Sequence, residues 1–402
     1  MSTQSAQHPS SIRQQLREDA PLIAAVSLII LALSQLGWLS PLETQSLDAW
    51  MRLKAPIEAR CVSIVKITEG DYERLFESRS PLAPEKLKDI IRAIASGGAR
   101  LIAVDIDTSH KDFAQFQPEA DWPTLVWAQS ASYAPGNEPE SDRIRPKPIL
   151  GAQNRCVPMG LALFPNGTQG GVRYFRHAYE TADGPVLSFP AAIVEAWHAL
   201  SAEKKQGDTA ACPDTPTVHD EEGHNLILDL SGGEFTFNPH KAGEVLHVAD
   251  SPAWRSDGLL KHQLVILGGE YDAARDFHET PMGRKLGVEL IAHAVEAELQ
   301  GRMITPVNHS LMVALEVTAG LCMSLLHFYL GTTRWRWLVV VAIPAIALSS
   351  SWLAFARLSL WANFAPVMVA VHLHHNPGPV TTWIVTKLRY LPGQVLKLLG
   401  RG

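Results

Sequence analysis

LIAAVSLIILALSQLGWL (residues 22–39) decides how this chain must be read, because three similar stretches follow it near the C-terminus. They are LMVALEVTAGLCMSLLHFYL (311–330), WLVVVAIPAIALSSSWLAFA (337–356) and LSLWANFAPVMVAVHL (358–373). A helix of roughly 20 apolar residues crosses a bilayer, where lipid offers no partner to a bare backbone amide. The stretches run to 18, 20, 20 and 16 residues, the last being marginal. About 270 residues of mixed polarity lie between the first and the second. The pattern predicts four transmembrane helices, one N-terminal and three C-terminal, presenting one large soluble domain to one side of a membrane.

Basic residues in short loops set the orientation. Arg13 and Arg17 precede the first stretch, Arg334 and Arg336 fill the link between the second and third, and Lys387, Arg389, Lys397 and Arg401 follow the fourth. Four spans place all three clusters on one side; only Arg357, in an expected tight turn between the third and fourth spans, disagrees. Both termini are therefore expected in the cytoplasm and the soluble domain outside it, in the inner membrane of a cell. No small-x-small cleavage pattern follows the first stretch, so an uncleaved anchor is expected rather than a signal peptide. The expected layout is 1–21 cytoplasmic, 22–40 spanning, 41–307 extracytoplasmic, 308–375 three spans and 376–402 a basic amphipathic tail. That tail mixes Trp383, Ile384, Leu388 and Leu391 with its basic residues, which suits an inner membrane surface or a partner's groove.

Composition fits this layout. Hydrophobic residues make up 46%, enough for spans and a soluble core. A net charge of −6 carries no nucleic-acid signature. Of four cysteines, Cys322 lies in a span, and Cys61, Cys156 and Cys212 lie in the exported domain. A Cys156–Cys212 bridge and free buried thiols are both open readings.

In the exported domain, short β-branched runs predict strands at VSIVKI (62–67), RLIAVDID (100–107), NLILDL (225–230), VLHVAD (245–250) and LVILGG (264–269). Helices are predicted from Pro84, with Leu87, Ile90, Ile91 and Ile94 at helical spacing, from Gly287 through Leu299, and over 190–200. The alternation predicts an α/β exported domain with a largely parallel or mixed sheet flanked by helices. Residues 132–147 and 202–224, rich in Pro, Gly and charge, read as surface loops.

Several segments, taken in order, resemble the type-two CHASE domain, the second family of cyclase/histidine-kinase-associated extracellular sensors. LDAWMRLKAP (47–56) is similar to the family's opening helix, and GARLIAVDID (98–107) to its strand ending in aspartate. GGVRYFRHAY (170–179) resembles the DGxxR segment with Gly170 in place of the aspartate. LVILGG, DFHETPMG (276–283) and GVELIAHAV (287–295) resemble the closing D-x-x-x-TP-x-G…GVE-x-x-A pattern. The chain departs from the family at Thr68, where an aspartate is usual, and lacks a Trp-Pro pair before the helix at Pro84. The resemblance implies a sensory domain between one N-terminal and three C-terminal spans. In the family a cyclase or kinase domain usually follows; residues 376–402 are too short for one, so a stand-alone input module is expected.

Candidate site residues follow from strand ends, because open parallel sheets bind ligands beyond the carboxyl ends of their strands. Asp105 and Asp107 end one predicted strand, Asp276, His278 and Thr280 follow another, and Glu69 and Asp71 a third. These groups either converge on a ligand pocket or divalent-cation site, or cap helices and satisfy loop amides. Glu316 lies inside the second span, where a carboxylate is costly and a functional role is the default, unless it sits wet at the interface. Mid-helix His293 reads as a packed core histidine.

No G-x-S-x-G, HExxH, P-loop or C-x-x-C occurs, so no enzymatic activity and no cofactor are expected. The expected function is a membrane-anchored extracytoplasmic module that binds a small molecule. It would signal through its spans to a separate cytoplasmic effector, a kinase, cyclase or protease-like protein, with a homo-oligomer left open. Two alternatives remain: an exported enzyme using Asp105, Asp107, Asp276 and His278, and a structural membrane subunit.

Overall fold

The computed structural model describes residues 11–56, 58–133, 144–147, 157–165, 171–203, 225–231, 236–330 and 333–375. The expected cytoplasmic tail, Cys156, Cys212 and most of both long loops lie outside the described residues. The chain divides into two compact units, Met51–Ile304 and Met1–Trp50 with Thr305–Gly402.

The central unit is built on a six-stranded sheet of parallel strands. Its members are β1 (Val62–Thr68), β2 (Leu101–Asp105), β3 (Thr124–Gln129), β4 (Met159–Leu161), β5 (His240–Lys241) and β6 (Leu264–Glu270). They lie in the order β5-β1-β6-β2-β3-β4. Parallel strands covered on both faces must be apolar throughout, and six of the seven residues of β1 and of β6 are buried. Alternate residues feed opposite layers. Val65, Ile67, Ile102, Val104, Val265 and Leu267 pack with Tyr72 and Phe76 of α3 (Glu69–Phe76) and with Leu87, Ile90 and Ile94 of α4 (Pro84–Ser96). Val62, Ile64, Leu101, Ala103, Leu264 and Ile266 pack with Ile193 of α5 (Phe189–Glu203) and with Ile291 and Val295 of α8 (Gly287–Leu299). At the end of α4, a Cβ on Gly97 would strike the indole of Trp254 in α7 (Pro252–Asp257), whose Nε1 donates to the Ala93 carbonyl at 3.0 Å.

Two predicted strands behave differently. VLHVAD (245–250) is not a strand: α6 (Ala242–Val248) begins directly after β5. Ala242, Val245, Leu246 and Ala249 all pack on the α3–α4 layer, and their spacing of i, i+3, i+4 and i+7 is helical. A short apolar run does not distinguish the two states on its own. Within NLILDL, Asn225–Ile227 pairs antiparallel with Tyr174–Arg176, outside the main sheet. Another antiparallel ribbon, Ala131–Tyr133 with Ile144–Pro146, occupies part of the loop expected at 132–147.

The other unit is helical: α1 (Ile12–Gln35), α2 (Ser40–Leu53) as far as Trp50, α9 (His309–Leu330), α10 (Thr333–Leu358) and α11 (Ala365–His375). Among the described residues, one helix is long and apolar enough to cross a membrane, over Val341–Leu358. The α1–α2 pair passes the same test only when taken together, and it bends by 81°. The four expected spans are therefore not all single helices. Stretch 22–39 is broken at its end, where Leu36 caps α1 and Gly37 adopts φ 72°. Arg357 sits in the last turn of α10 rather than in a tight turn, and the helix ends at Ser359 with φ 52°. Leu360–Trp361 then pairs with Thr305–Pro306, and α11 begins only at Ala365, whose N–H donates to Asn363 Oδ1 at 3.1 Å. The 11 described residues of α11 span roughly 16 Å, about half a bilayer core. Val26, Ile30 and Leu39 pack with Ala370, and Met323 packs with Val367 and Val371.

Candidate functional site

A cleft of about 650 Å³ opens beyond the carboxyl ends of β2 and β6. The register pairs Asp105, the last residue of β2, with Gly268 of β6, so the segments leaving both strands face one space. Asp105, Asp107, Asp276 and His278 all line it. Glu69, Asp71 and Thr280 do not.

Asp105 is the unusual member. Its Oδ2 is shut off from solvent and has no hydrogen-bond partner among the described residues. Burial pushes its carboxyl well above the usual carboxylate range, and the neighbouring Asp276 pushes in the same direction. Tyr271, which also lines the cleft, is pushed up to about 12 by burial, with Tyr72, Asp105, Asp276 and Glu69 adding to the effect. Its ring stacks on Tyr72 at 4.3 Å.

Asp276 is held from two sides. His278 Nε2 lies 3.1 Å from its Oδ1, and the carboxylate rests against Gly287, where a Cβ would collide with it. The Gly287 N–H donates to the Asp276 carbonyl at 3.0 Å. His278 in turn sets its ring edge to Phe164 at 6.0 Å.

Asp107 behaves oppositely to Asp105. Burial raises its carboxyl, but hydrogen bonds from Ser109 and Ser130 and the charge of Lys147 outweigh this and hold it below its ordinary value. The Ser109 N–H donates at 2.9 Å and Lys147 Nζ lies 3.6 Å away. The cleft thus holds one carboxylate that ionises readily and one that resists ionisation.

The remaining candidates do local work. Thr68 and Asp71 form a capping box at the start of α3, with the Thr68 hydroxyl donating to Asp71 Oδ2 at 2.8 Å. Glu69 Oε2 accepts from the Asp272 N–H at 2.7 Å. Thr280 Oγ1 donates to the Gly283 carbonyl and accepts from the Met282 N–H at 3.1 Å, closing the turn between β7 (Phe277–Thr280) and β8 (Gly283–Leu286). His293 is 1% exposed and packs edge-on against Phe237. Glu316 lies in α9, in the helical unit.

Sequence reasoning passed over Tyr271, Arg275, His110, Ser109, Ser130 and Phe164, all lining residues. Tyr271 follows β6 directly, so the strand-end rule that singled out Asp276 applies to it equally. Among the described residues, no group of three or more His, Cys, Asp or Glu is placed to hold a metal ion.

A family model, the CHASE2 domain, matches residues 23–328, well over half of the chain. The chain belongs to the CHASE2 family. CHASE2 domains are extracellular sensory domains, usually found in cyclase- or kinase-associated sensor proteins. No curated protein and no solved structure matches the chain. The matched range includes β2, β6 and α8, which contribute Asp105, Gly269, Gly287 and Ile291 to the cleft.

Proposed function

We propose that this CHASE2 chain is a membrane-anchored sensor whose extracytoplasmic domain binds a small cationic ligand in the cleft at the β2 and β6 ends. Signalling then passes through the helical unit to a separate cytoplasmic effector, a kinase, cyclase or protease-like protein. In this reading the four apolar stretches cross or enter the inner membrane, both termini are cytoplasmic, and self-association is compatible with the arrangement.

One observation carries the ligand class: the shielded, unpartnered Oδ2 of Asp105. A buried acceptor without a donor costs free energy, about 1–3 kcal/mol for a neutral group and more for a charged one. An ammonium or guanidinium group would supply both the donor and the opposite charge. Asp276 and Asp107 add negative field at the same mouth. A ligand acts as a signal only through unequal affinity for two states of the receptor. The cleft binds without turnover in this reading: no nucleophile is hydrogen-bonded to the His278–Asp276 pair among the described residues.

The test is thermal unfolding of the detergent-solubilised full chain against a panel of small ammonium and guanidinium compounds. At least one compound is expected to raise the melting temperature of the wild type and leave Asp105→Asn unmoved. A panel without effect, or an equal shift in Asp105→Asn, contradicts the reading.

A further inference from the structure

The charged side chains of the cleft fall into pairs, with two left over. Asp107 is held by Ser109, Ser130 and Lys147, and Asp276 is hydrogen-bonded to His278. Asp105 keeps an Oδ2 that is shut off from solvent and has no partner among the described residues. The other group left over is Arg275. It lines the cleft, is exposed, and makes no side-chain hydrogen bond, ion pair or ring contact among the described residues. No other lysine or arginine stands among the described lining residues. A lone carboxylate thus lies deep in the cleft and a lone guanidinium at its open side.

Arg275 occupies a demanding backbone position. It ends the short turn Asp272–Ala274 with φ 53° and ψ 26°, in the left-handed region. Glycine or asparagine meets that geometry with less strain, so the arginine is kept there at a cost. Residues held in such conformations gather at ligand clamps. The next residue is Asp276, whose charge acts on Asp105. The two unpaired groups therefore border one space.

Each of them specifies one half of a ligand. Asp105 Oδ2 needs an N–H donor, which a primary ammonium has and a quaternary one lacks. The planar guanidinium of Arg275 matches a carboxylate, which it engages with two parallel hydrogen bonds. A phosphate or sulfate suits the cleft less well, because three aspartates of the lining stand against one guanidinium. The rest of the lining includes Leu82, Ala162, Phe164 and Ile291, which suit a carbon skeleton. At about 650 Å³ the cleft falls within the range of small-molecule sites, roughly 300–1,000 Å³.

We infer that the cleft binds an amino acid, a zwitterion whose primary ammonium pairs with Asp105 and whose carboxylate pairs with Arg275. The inference rests on the proposed pairing of Asp105 with a cationic group and adds the second charge. Neither half alone satisfies the cleft. An amine leaves Arg275 open, and a carboxylic acid leaves Asp105 without a donor.

The experiment is thermal unfolding of the full chain in detergent at constant ionic strength. The compounds are the common amino acids and their decarboxylated amines as matched pairs, such as leucine with 3-methylbutylamine and 4-aminobutyrate with propylamine. At least one amino acid is expected to raise the melting temperature along a saturating curve. Its apparent affinity is expected to exceed that of its amine by about tenfold or more, the scale of one charge-assisted pair. Betaine, which has no N–H, is expected to do nothing. Arg275→Gln is expected to bind both members of the pair equally weakly, and Asp105→Asn to bind neither. Arg275→Gly, which relieves the left-handed backbone, is expected to melt no lower than the wild type without ligand and still to lose the preference. Equal binding of both members of every pair by the wild type overturns the inference and leaves the cationic-ligand reading standing. So does betaine binding as well as the amino acids, or a full preference kept by Arg275→Gln and Arg275→Gly. A wild type that responds to no amine and no amino acid, or an Asp105→Asn variant that responds fully, overturns both.

Discussion

Lys54 Nζ lies 2.6 Å from Asp229 Oδ2, with side chains 3% and 0% exposed. The Asp229 carboxylate also accepts from the Ser231 N–H at 3.1 Å, and Arg302 approaches it at 3.9 Å. Lys54 directly follows α2, and Arg302 precedes the end of the central unit at Ile304 by two residues. The segments by which the chain enters and leaves that unit are thus fastened to one buried carboxylate.

Removing one partner of a buried ion pair strands the other charge, at a cost of about 3–5 kcal/mol. Asp229→Asn and Lys54→Met are each expected to destabilise the chain by that order. The double variant Lys54→Met/Asp229→Leu is expected to recover part of the loss, since no charge is then buried alone. Denaturant unfolding of the four proteins measures the coupling, and strictly additive losses would show that the pair acts as two independent groups.

The carboxyl of Asp105 carries a sign that can be checked. Its folded pKa lies above the unfolded value because the burial disfavours the charged form. Its contribution to stability is therefore fully present below the unfolded pKa and is lost as pH rises through the folded pKa. Asp105→Asn removes this dependence. The variant's melting temperature, relative to wild type, is expected to climb from acid toward neutral pH. A difference that is flat with pH would mean that Asp105 ionises normally in the fold.

His293 shows the reverse trend. Burial lowers its pKa to about 3, with the charge of Lys285 adding to the effect, so the folded ring stays neutral. As pH falls below the unfolded value of about 6.5, the unfolded chain takes up a proton that the fold refuses, costing up to about 1.4 kcal/mol per pH unit. His293→Gln is expected to flatten this part of the acid limb, read from melting temperatures between mildly acidic and neutral buffers. An unchanged limb would place the acid sensitivity elsewhere.

Gly287→Ala tests how Asp276 is positioned. The added Cβ would meet the Asp276 carboxylate. The expected cost is about 1–3 kcal/mol of overpacking, together with loss of any shift produced by compounds that bind the cleft. An alanine variant that retains full ligand response would show that the Asp276–Gly287 contact does not set the site.

How far the sequence foretells this structure depends on the range of the interaction. β1, β2 and β6 are legible because strands buried on both faces read as unbroken apolar runs. β5 is two residues long and carries no such signal, and the apolar run after it was ambiguous between strand and helix. The breaks at Gly37 and Ser359 escape hydropathy, which sums over windows and is blind to a single left-handed residue. Asp105, Asp107, Asp276 and His278 came from the strand-end rule alone, whereas Asp71 and Thr280 satisfied the same rule while serving a cap and a turn. The Lys54–Asp229 pair spans 175 positions, and neither residue has a local pattern that announces the other.

In the proposed sensor, the cleft-bearing CHASE2 domain lies outside the cytoplasm while residues 1–21 and 376–402 lie inside. Topology reporters test it most directly, with one fused after Gly402 and one inserted within residues 204–210 of the full chain. The C-terminal fusion is expected to be active only as a cytoplasmic reporter and the insertion only as an exported one. An exported C-terminus together with a cytoplasmic insertion would contradict it.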